Sequence, residues 1–361
     1  MGFRAEYGIK KLTFFFAAAF TLLVVCHFAF RLTPNDPEIP VVWEEYRKND
    51  AKNYPGHNPG NGSSLKEETT SLAIEVSSNS QEKGTRHEVS FESPSFNDLN
   101  IMFGNVSFIK GSRESSTAII IPYRNRENHL RTFLFNLVPF LEKQNCSYAF
   151  YVVEQVIVFC KCAAMRHYRF PFPVPKQIFN KGKLMNVGYL FAKALRHHSC
   201  YIFHDVDLLP EDIRNVYACD QNPRHLAVAV DTLNYRLIYN QLMGGVTVFT
   251  DTQFQAVNGF ANYYWGWGAE DEDIYYRVLY ANYTVQRDPE KISRYKMIRH
   301  HSHPLFKANP CRLRLLSQVQ KLWKLDGLNN LVYKLIEIEE TRFYTKLMVD
   351  ALPDLSFERG C

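Results

Sequence analysis

Cys200-Tyr201-Ile202-Phe203-His204-Asp205-Val206-Asp207 decides the fold. Its first five residues form a short apolar run without polar alternation, as in a strand buried on both faces, and the run ends on two aspartates. In open α/β sheets, ligands collect beyond the carboxyl ends of the strands. Two hard carboxylates one residue apart at such an end can ligate a divalent cation and, through it, a diphosphate. Acidic triplets are also ordinary turn residues, so the triplet alone leaves both readings open.

A second apolar run, Ala118–Ile121, stops at Pro122 and delivers Tyr123-Arg124-Asn125-Arg126. Two guanidinium groups at a strand end suit a diphosphate; the alternative is a basic loop opening the helix expected over Glu127–Leu141. Further strands are expected at Tyr148–Val153, His225–Asp231 and Val246–Phe249, with helices at Lys181–Leu195, Gln253–Phe260 and from Asp273 to Tyr280. The last stretches, Leu331–Glu339 and Phe343–Val349, alternate apolar and polar residues as a covering hairpin would.

Between these elements lies Trp265-Gly266-Trp267-Gly268-Ala269-Glu270-Asp271-Glu272-Asp273. Indole rings among glycines can stack on sugar C–H groups, and the carboxylates that follow can accept hydrogen bonds from hydroxyls. The bland reading is a turn before a helix whose acidic first turn suits the helix dipole. His300, His301 and His303 form a further candidate ligand cluster, which alternation on a strand could place on one side.

Outside this region, Leu12–Phe30 is an uncharged apolar run that would span roughly 28 Å as a helix, enough for a bilayer core. Arg4, Lys10 and Lys11 precede it, so residues 1–11 are expected to be a cytoplasmic tail, 12–30 an uncleaved transmembrane anchor, and the rest lumenal. Residues 31–111, rich in Pro, Asn, Ser, Glu and Gly, read as a flexible stem before a catalytic domain over 112–361. Asn61, Asn105, Asn145 and Asn282 each head a glycosylation triplet, and the eight cysteines suit an oxidising compartment. A net charge of +5 is too small to argue for nucleic acid.

The motifs IIIPYRNR (119–126), FNKGKLMNVGY (179–189), FHDVDLLP (203–210), GGV (244–246), WGWGAEDED (265–273) and MIRH (297–300), in this order and spacing, resemble the β-1,4-galactosyltransferase family, glycosyltransferase family 7, including its N-acetylgalactosaminyltransferase members. The resemblance covers about Ala118–Asp350. It implies an α/β GT-A catalytic domain, with a Rossmann-like nucleotide-binding sheet, on a single-pass type II Golgi membrane anchor.

By that resemblance, Pro122, Tyr123, Arg124, Asn125, Arg126, Phe179, Asn180 and Lys181 line the uridine diphosphate site, with Asp205 and Val206 on the donor. Lys181 stands where relatives often have Arg. Asp207, Met297 and His300 are the implied Mn²⁺ ligands, with His300 and His303 beside the nucleotide. Trp267 is a gating ring on a mobile loop and Asp271 the general base; Ala269, Glu270, Glu272, Arg312, Leu313 and Leu316 face a GlcNAc-terminated acceptor on a glycoprotein or glycolipid. Glu272 is one methylene longer than the family's usual Asp. Cys200 and Cys219 match a family disulfide, while the family cysteine before the first strand is replaced by Ser115-Ser116-Thr117.

Leu242, before Gly244-Gly245, replaces the Tyr that crowds the donor's C2 substituent in galactose-transferring relatives. UDP-GalNAc is therefore the expected donor, with UDP-Gal as the alternative and a non-catalytic sugar-binding protein of the same fold as the third reading. Residues 156–177 have no family counterpart and read as a translated intron or a surface loop.

Overall fold

The computed structural model describes residues 85–104, 116–156, 178–299 and 308–352. The expected anchor, Asn61, Asn105, residues 157–177, His300 and His303 lie outside them. Among the described residues no helix is long and apolar enough to cross a membrane.

The core strand is β1 (Ser116–Tyr123), whose Ala118 to Ile121 have no exposed surface. It runs parallel to β2 (Tyr148–Gln155) on one side and to β3 (His198–His204) on the other. Strand β7 (Val246–Phe249) lies antiparallel on β3, and β5 (Arg224–His225) lies antiparallel on β7. On the opposite flank, β10 (Thr345–Asp350) pairs parallel with β2, and β9 (Lys334–Glu340) closes the hairpin with it. The seven-stranded order is β5-β7-β3-β1-β2-β10-β9. A smaller sheet, β4 (Leu208–Pro210), β8 (Arg294–Met297) and β6 (Ala229–Val230), stands at its carboxyl end.

Helices cover both faces, as continuous apolar strands require. Helix α2 (Glu127–Lys143) buries Phe133, Leu134, Leu137, Phe140 and Leu141 with Ile119, Ile121, Phe150 and Ile202. On the other face, α3 (Lys181–Leu195) sets Tyr189 against Tyr201 at 4.8 Å and Phe191 against Tyr151 at 6.3 Å, ring centre to ring centre. The expected bounds of α3 coincide with the observed ones. The disulfide Cys200–Cys219 is present, tying β3 to the loop before β5. Cys146 carries none; its Sγ lies 3.7 Å from Thr117 Oγ1, where the family cysteine is missing.

Three expectations need correction. The stem does not reach Gly111: residues 85–104 belong to the folded unit. Ser95 and Asp98 form a capping box that starts α1 (Phe96–Met102), and Leu99 on this helix is fully buried. Asn136 exchanges two hydrogen bonds with the Ser90 backbone, at 2.8 and 2.7 Å, and Arg342 donates to Phe103 O at 2.8 Å. A polar segment is thus held by two anchor side chains and a few backbone bonds.

The C-terminal hairpin does not cover a face; it extends the main sheet, because β10 hydrogen-bonds in register with β2. His225–Asp231 is not one strand either. Its first residue lies in β5 and Ala229–Val230 in β6, so this stretch passes from one sheet to the other.

Candidate active site at the carboxyl end of the sheet

Parallel β1 and β3 end on the same side, which brings Arg124 and Arg126 over Asp205 and Asp207. Arg126 Nη1 donates to Asp207 Oδ2 at 3.0 Å, and the Arg124 guanidinium lies 5.5 Å from the Phe179 ring centre. Asn125, between the two arginines, takes a left-handed φ of 49°, which turns the chain sharply before α2. Pro122 and Tyr123 are the last residues of β1, and burial pushes the Tyr123 hydroxyl up to about 12.

Asn180 caps α3 through Lys183 N and is itself held by Gln155 Oε1 and Asn262 O, at 2.8 and 2.7 Å. Gln155 Nε2 also donates to Ile178 O at 2.7 Å. One side chain therefore joins the described residues on either side of 157–177.

Lys181, the next residue, is the electrostatic centre of the site. Its Nζ lies 2.8 Å from Asp271 Oδ1, 3.0 Å from Glu270 Oε1 and 3.8 Å from Asp205 Oδ2. Burial opposes its charge, but Asp205, Asp271 and Glu270 more than offset that and hold the ammonium well above its ordinary range. Burial pushes Asp205 up to about 7 against the pull of Lys181, and burial likewise raises Glu270.

Metal ligation can be tested on the donors. Leu208 of β4 pairs with Met297 of β8, and Ile298 N donates to Asp207 O at 2.8 Å, so the small sheet holds Met297 against the Asp-Val-Asp turn. Asp231 accepts from Met297 N at 3.0 Å and fixes it further. A donor set of one carboxylate and one thioether, Asp207 and Met297, fits a borderline ion such as Mn²⁺ better than Mg²⁺. Among the described residues no group of three His, Cys, Asp or Glu could hold a metal, and His300 falls outside them.

The Trp-Gly-acid stretch divides into parts with different jobs. Trp267 is 64% exposed, while Trp265 is half-buried with Lys183 Nζ 5.5 Å from its ring, so one indole is presented and the other is packed inward. Gly266, Gly268 and Ala269 take φ of 90°, 109° and 76°, a run of left-handed residues that throws Trp267 outward. The loop is tied by Gly266 N to Phe179 O and by Asn309 N to Trp267 O, at 2.8 and 3.0 Å.

After the short helix α4 (Asp251–Ala256), helix α5 (Glu270–Tyr280) begins here. Asp271 turns Oδ1 to Lys181 and lays its carboxylate over Gly244, where a Cβ would come within 2.5 Å of Asp271 Cγ. Glu270 is buried and also accepts from Gly268 N at 3.2 Å, so it braces the Trp loop as well as facing Lys181. Glu272 accepts from Tyr239 Oη at 2.5 Å. Asp273 leaves the site altogether: it is fully buried, paired with Arg277 and bonded by the hydroxyls of Tyr263 and Tyr264.

Arg312 lies under Gly268, and Leu313 is 68% exposed beside it on the short helix α6 (Arg312–Leu316). Leu316 packs instead with the Ala261, Tyr263 and Tyr264 cluster beneath the loop. Leu242 is half-buried in the segment before β7, and Val206 is buried in the Asp-Val-Asp turn. Asn145 and Asn282, of the glycosylation triplets, are exposed.

Sequence reasoning missed two residues near this site. His225 Nε2 meets Gly244 O at 2.9 Å, and Arg287 donates to the carbonyls of Asn240 and Leu242 at 2.9 and 3.0 Å. Neither sits in a motif; only three-dimensional proximity to the segment before β7 reveals them.

Residues 102–220 match a profile described as the N-terminal region of glycosyl transferase group 7, and 224–301 one described as the N-terminal domain of galactosyltransferase. The chain is 41% identical over 237 residues to β-1,4-galactosyltransferase 3 of Cricetulus griseus, covering 65% of this chain and 55% of the relative. It is 40% identical over 233 residues to β-1,4-galactosyltransferase 4 of Homo sapiens, covering 64% and 62%. The chain thus spans less than two thirds of either relative.

The solved catalytic domain of Drosophila β1,4-galactosyltransferase 7, in complex with xylobiose, superimposes with a TM-score of 0.55 at 25% identity, over 67% of this chain and 97% of that one. A mutant of the same enzyme in complex with manganese, UDP-Gal and xylobiose gives 0.54 at the same identity and coverage. The shared architecture is the GT-A type, a mixed sheet flanked by helices. With both family profiles aligned along its sheet and its motifs gathered at one end, the chain belongs to glycosyl transferase group 7.

Proposed function

We propose that this protein is an inverting, Mn²⁺-dependent hexosyltransferase that moves GalNAc from UDP-GalNAc to the 4-hydroxyl of a terminal β-linked GlcNAc. The observation that carries the reading is the placement of Asp271 between Lys181 and the backbone of Gly244, at the end of the sheet where Arg124, Arg126 and Asp207 converge. A carboxylate fixed there can take the acceptor's proton as its oxygen attacks the anomeric carbon. One displacement converts an α-linked donor into a β-linked product. Arg124 and Arg126 receive the diphosphate as planar donors. Asp207 and Met297, with His300, would hold the Mn²⁺, which would supply charge neutralisation for the diphosphate. Trp267, held outward by its left-handed neighbours, offers a ring face to the sugars, while Glu272, Arg312 and Leu313 border the acceptor.

GalNAc is favoured by Leu242, which leaves the C2 region of the donor site without a tyrosine ring or hydroxyl. A second reading, transfer of Gal from UDP-Gal, has its own support. The relatives named above are galactosyltransferases, and one was solved with UDP-Gal and manganese. Residence in the Golgi membrane as a type II protein, with the catalytic unit lumenal, is supported by the apolar run Leu12–Phe30, the Cys200–Cys219 disulfide and the exposed sequon residues Asn145 and Asn282.

The test is turnover of both donors on a GlcNAc acceptor with Mn²⁺. UDP-GalNAc is expected to be the faster donor, and Leu242→Tyr should shift preference towards UDP-Gal. Faster wild-type turnover of UDP-Gal would reverse the donor assignment. Absence of turnover with either donor would remove the enzymatic reading.

A further inference from the structure

The segment Tyr239–Gly245 carries the donor-facing Leu242 and the glycine beneath Asp271, yet it has no strand partner until Val246. Three of its backbone carbonyls accept from side chains of other segments. Those of Asn240 and Leu242 both accept from Arg287 Nη2, at 2.9 and 3.0 Å. That of Gly244 accepts from His225 Nε2 at 2.9 Å, and Arg287 Nε donates to His225 Nδ1 at 3.1 Å. The four contacts fix one tautomer: Gly244 O can only accept, so Nε2 carries the proton and Nδ1 receives the Arg287 N–H. His225 is fully buried and, by burial first and the Arg287 charge second, stays neutral down to about 3, which keeps Nδ1 free to accept.

Arg287 is itself fixed from two sides. Its neighbour Gln286 is held by Pro223 O and accepts from His225 N, both at 2.9 Å, and its guanidinium lies 6.0 Å from the ring of Tyr275, one turn after Asp271 on α5. Among the described residues no carboxylate pairs with it. An arginine given to backbone carbonyls, with no ion pair to make, is acting on the path of the chain.

We propose that Arg287 and His225 form a positioning brace that sets donor-sugar selectivity, by fixing the carbonyls of Asn240, Leu242 and Gly244 and so the distance between the Leu242 wall and Asp271. This rests on the reading of Leu242 as the wall of the donor's C2 pocket. The two ends of the segment are already tethered, at Tyr239 to Glu272 and at Gly245 O to Asp205 N, at 2.5 and 2.8 Å. The brace holds the middle, where the donor's C2 substituent meets protein. A lysine cannot replace the planar fork, because its single ammonium cannot serve both carbonyls and the imidazole in one plane.

The experiment uses the full chain in detergent, as wild type, Arg287→Lys and His225→Gln, with two readouts. Amide hydrogen exchange is expected to be at least tenfold faster across residues 239–246 in both variants and unchanged across 200–207 and 270–280. The ratio of kcat/KM for UDP-GalNAc over UDP-Gal is expected to fall at least fivefold towards one, with a raised donor KM and an acceptor KM that does not move. Unchanged exchange across 239–246 in either folded variant overturns the brace. Faster exchange with an unchanged donor ratio overturns its role in selectivity. A wild type that turns over neither donor defeats the functional reading instead, and is told apart because it needs no variant.

Discussion

Gly244→Ala is the sharpest test of where the base sits. The φ of Gly244 is not left-handed, so the backbone itself accepts a side chain there, unlike Gly245 with its φ of 78°. What forbids alanine is Asp271: the new Cβ would lie 2.5 Å from its Cγ and 3.0 Å from Oδ1. Carbon atoms settle at about 3.5–4.0 Å, so one partner must retreat by about 1 Å. Gly244 is held through its carbonyl by His225, and Asp271 through Oδ1 by Lys181, so the motion falls on the carboxylate and its lysine together. A misplacement of about 1 Å costs on the order of a hundredfold in rate, or roughly 2.7 kcal/mol of barrier. The assay is kcat at saturating donor, acceptor and Mn²⁺, with UDP binding measured alongside. A loss of about a hundredfold in kcat with UDP affinity within twofold is expected, since Arg124, Arg126 and Asp207 are untouched. If kcat stays within threefold of wild type, Asp271 is not the base or does not work from this position.

The remaining predictions concern the scaffold. Arg277→Met strips the partner from Asp273, which has no exposed surface and keeps only the hydroxyls of Tyr263 and Tyr264. Breaking a buried pair this way should cost about 3–5 kcal/mol by denaturant unfolding, and adding Asp273→Leu should recover part of it; an unchanged midpoint would refute the account. Stability should also fall as pH is lowered. Burial depresses His198 and His204 to about 4 and His225 to about 3, so between about 6.5 and 4 the unfolded chain takes up protons that the folded chain does not. Each contributes a slope of about 1.4 kcal/mol per pH unit, stability being present above 6.5 and lost on acidification. Asp205 works in the opposite sense, its raised carboxyl gaining stability as pH falls from about 7 towards 4, and offsets one of the three. His198→Gln should therefore lose about 2 kcal/mol less than wild type between pH 6.5 and 5, and equal losses would exclude His198 as a contributor.

What was legible in the sequence was local. The apolar runs ending in arginines and aspartates announced parallel strands with their carboxyl ends together, and the family motifs supplied the order of the site. Pairings between distant segments were not legible. Alternation in the last two strands signalled a hairpin, but nothing in it says that β10 lies beside β2 rather than over a face. Helical phase separates Asp271 from Asp273: Asp273, Ile274, Arg277 and Val278 share the buried face of α5, a pattern present in the sequence but masked by the acidic run. The Ser95–Asp98 capping box was equally visible, within a stretch whose polar texture argued for a stem. Arg287 and His225 had no local signal at all, because what they recognise is another segment's backbone.

The two ends of the large sheet carry a consequence for life at high concentration. A free strand edge is an invitation for a neighbouring chain to add a strand. At one end β5 is only two residues long, and its outer edge is already bonded to Gln286. At the other, β9 is largely exposed and carries Glu337, Glu339 and Glu340 against a single Lys334, so a second copy adding there meets an excess of like charge. Both edges thus disfavour strand addition, and the sheet's chemistry is left to the one end where the strands stop.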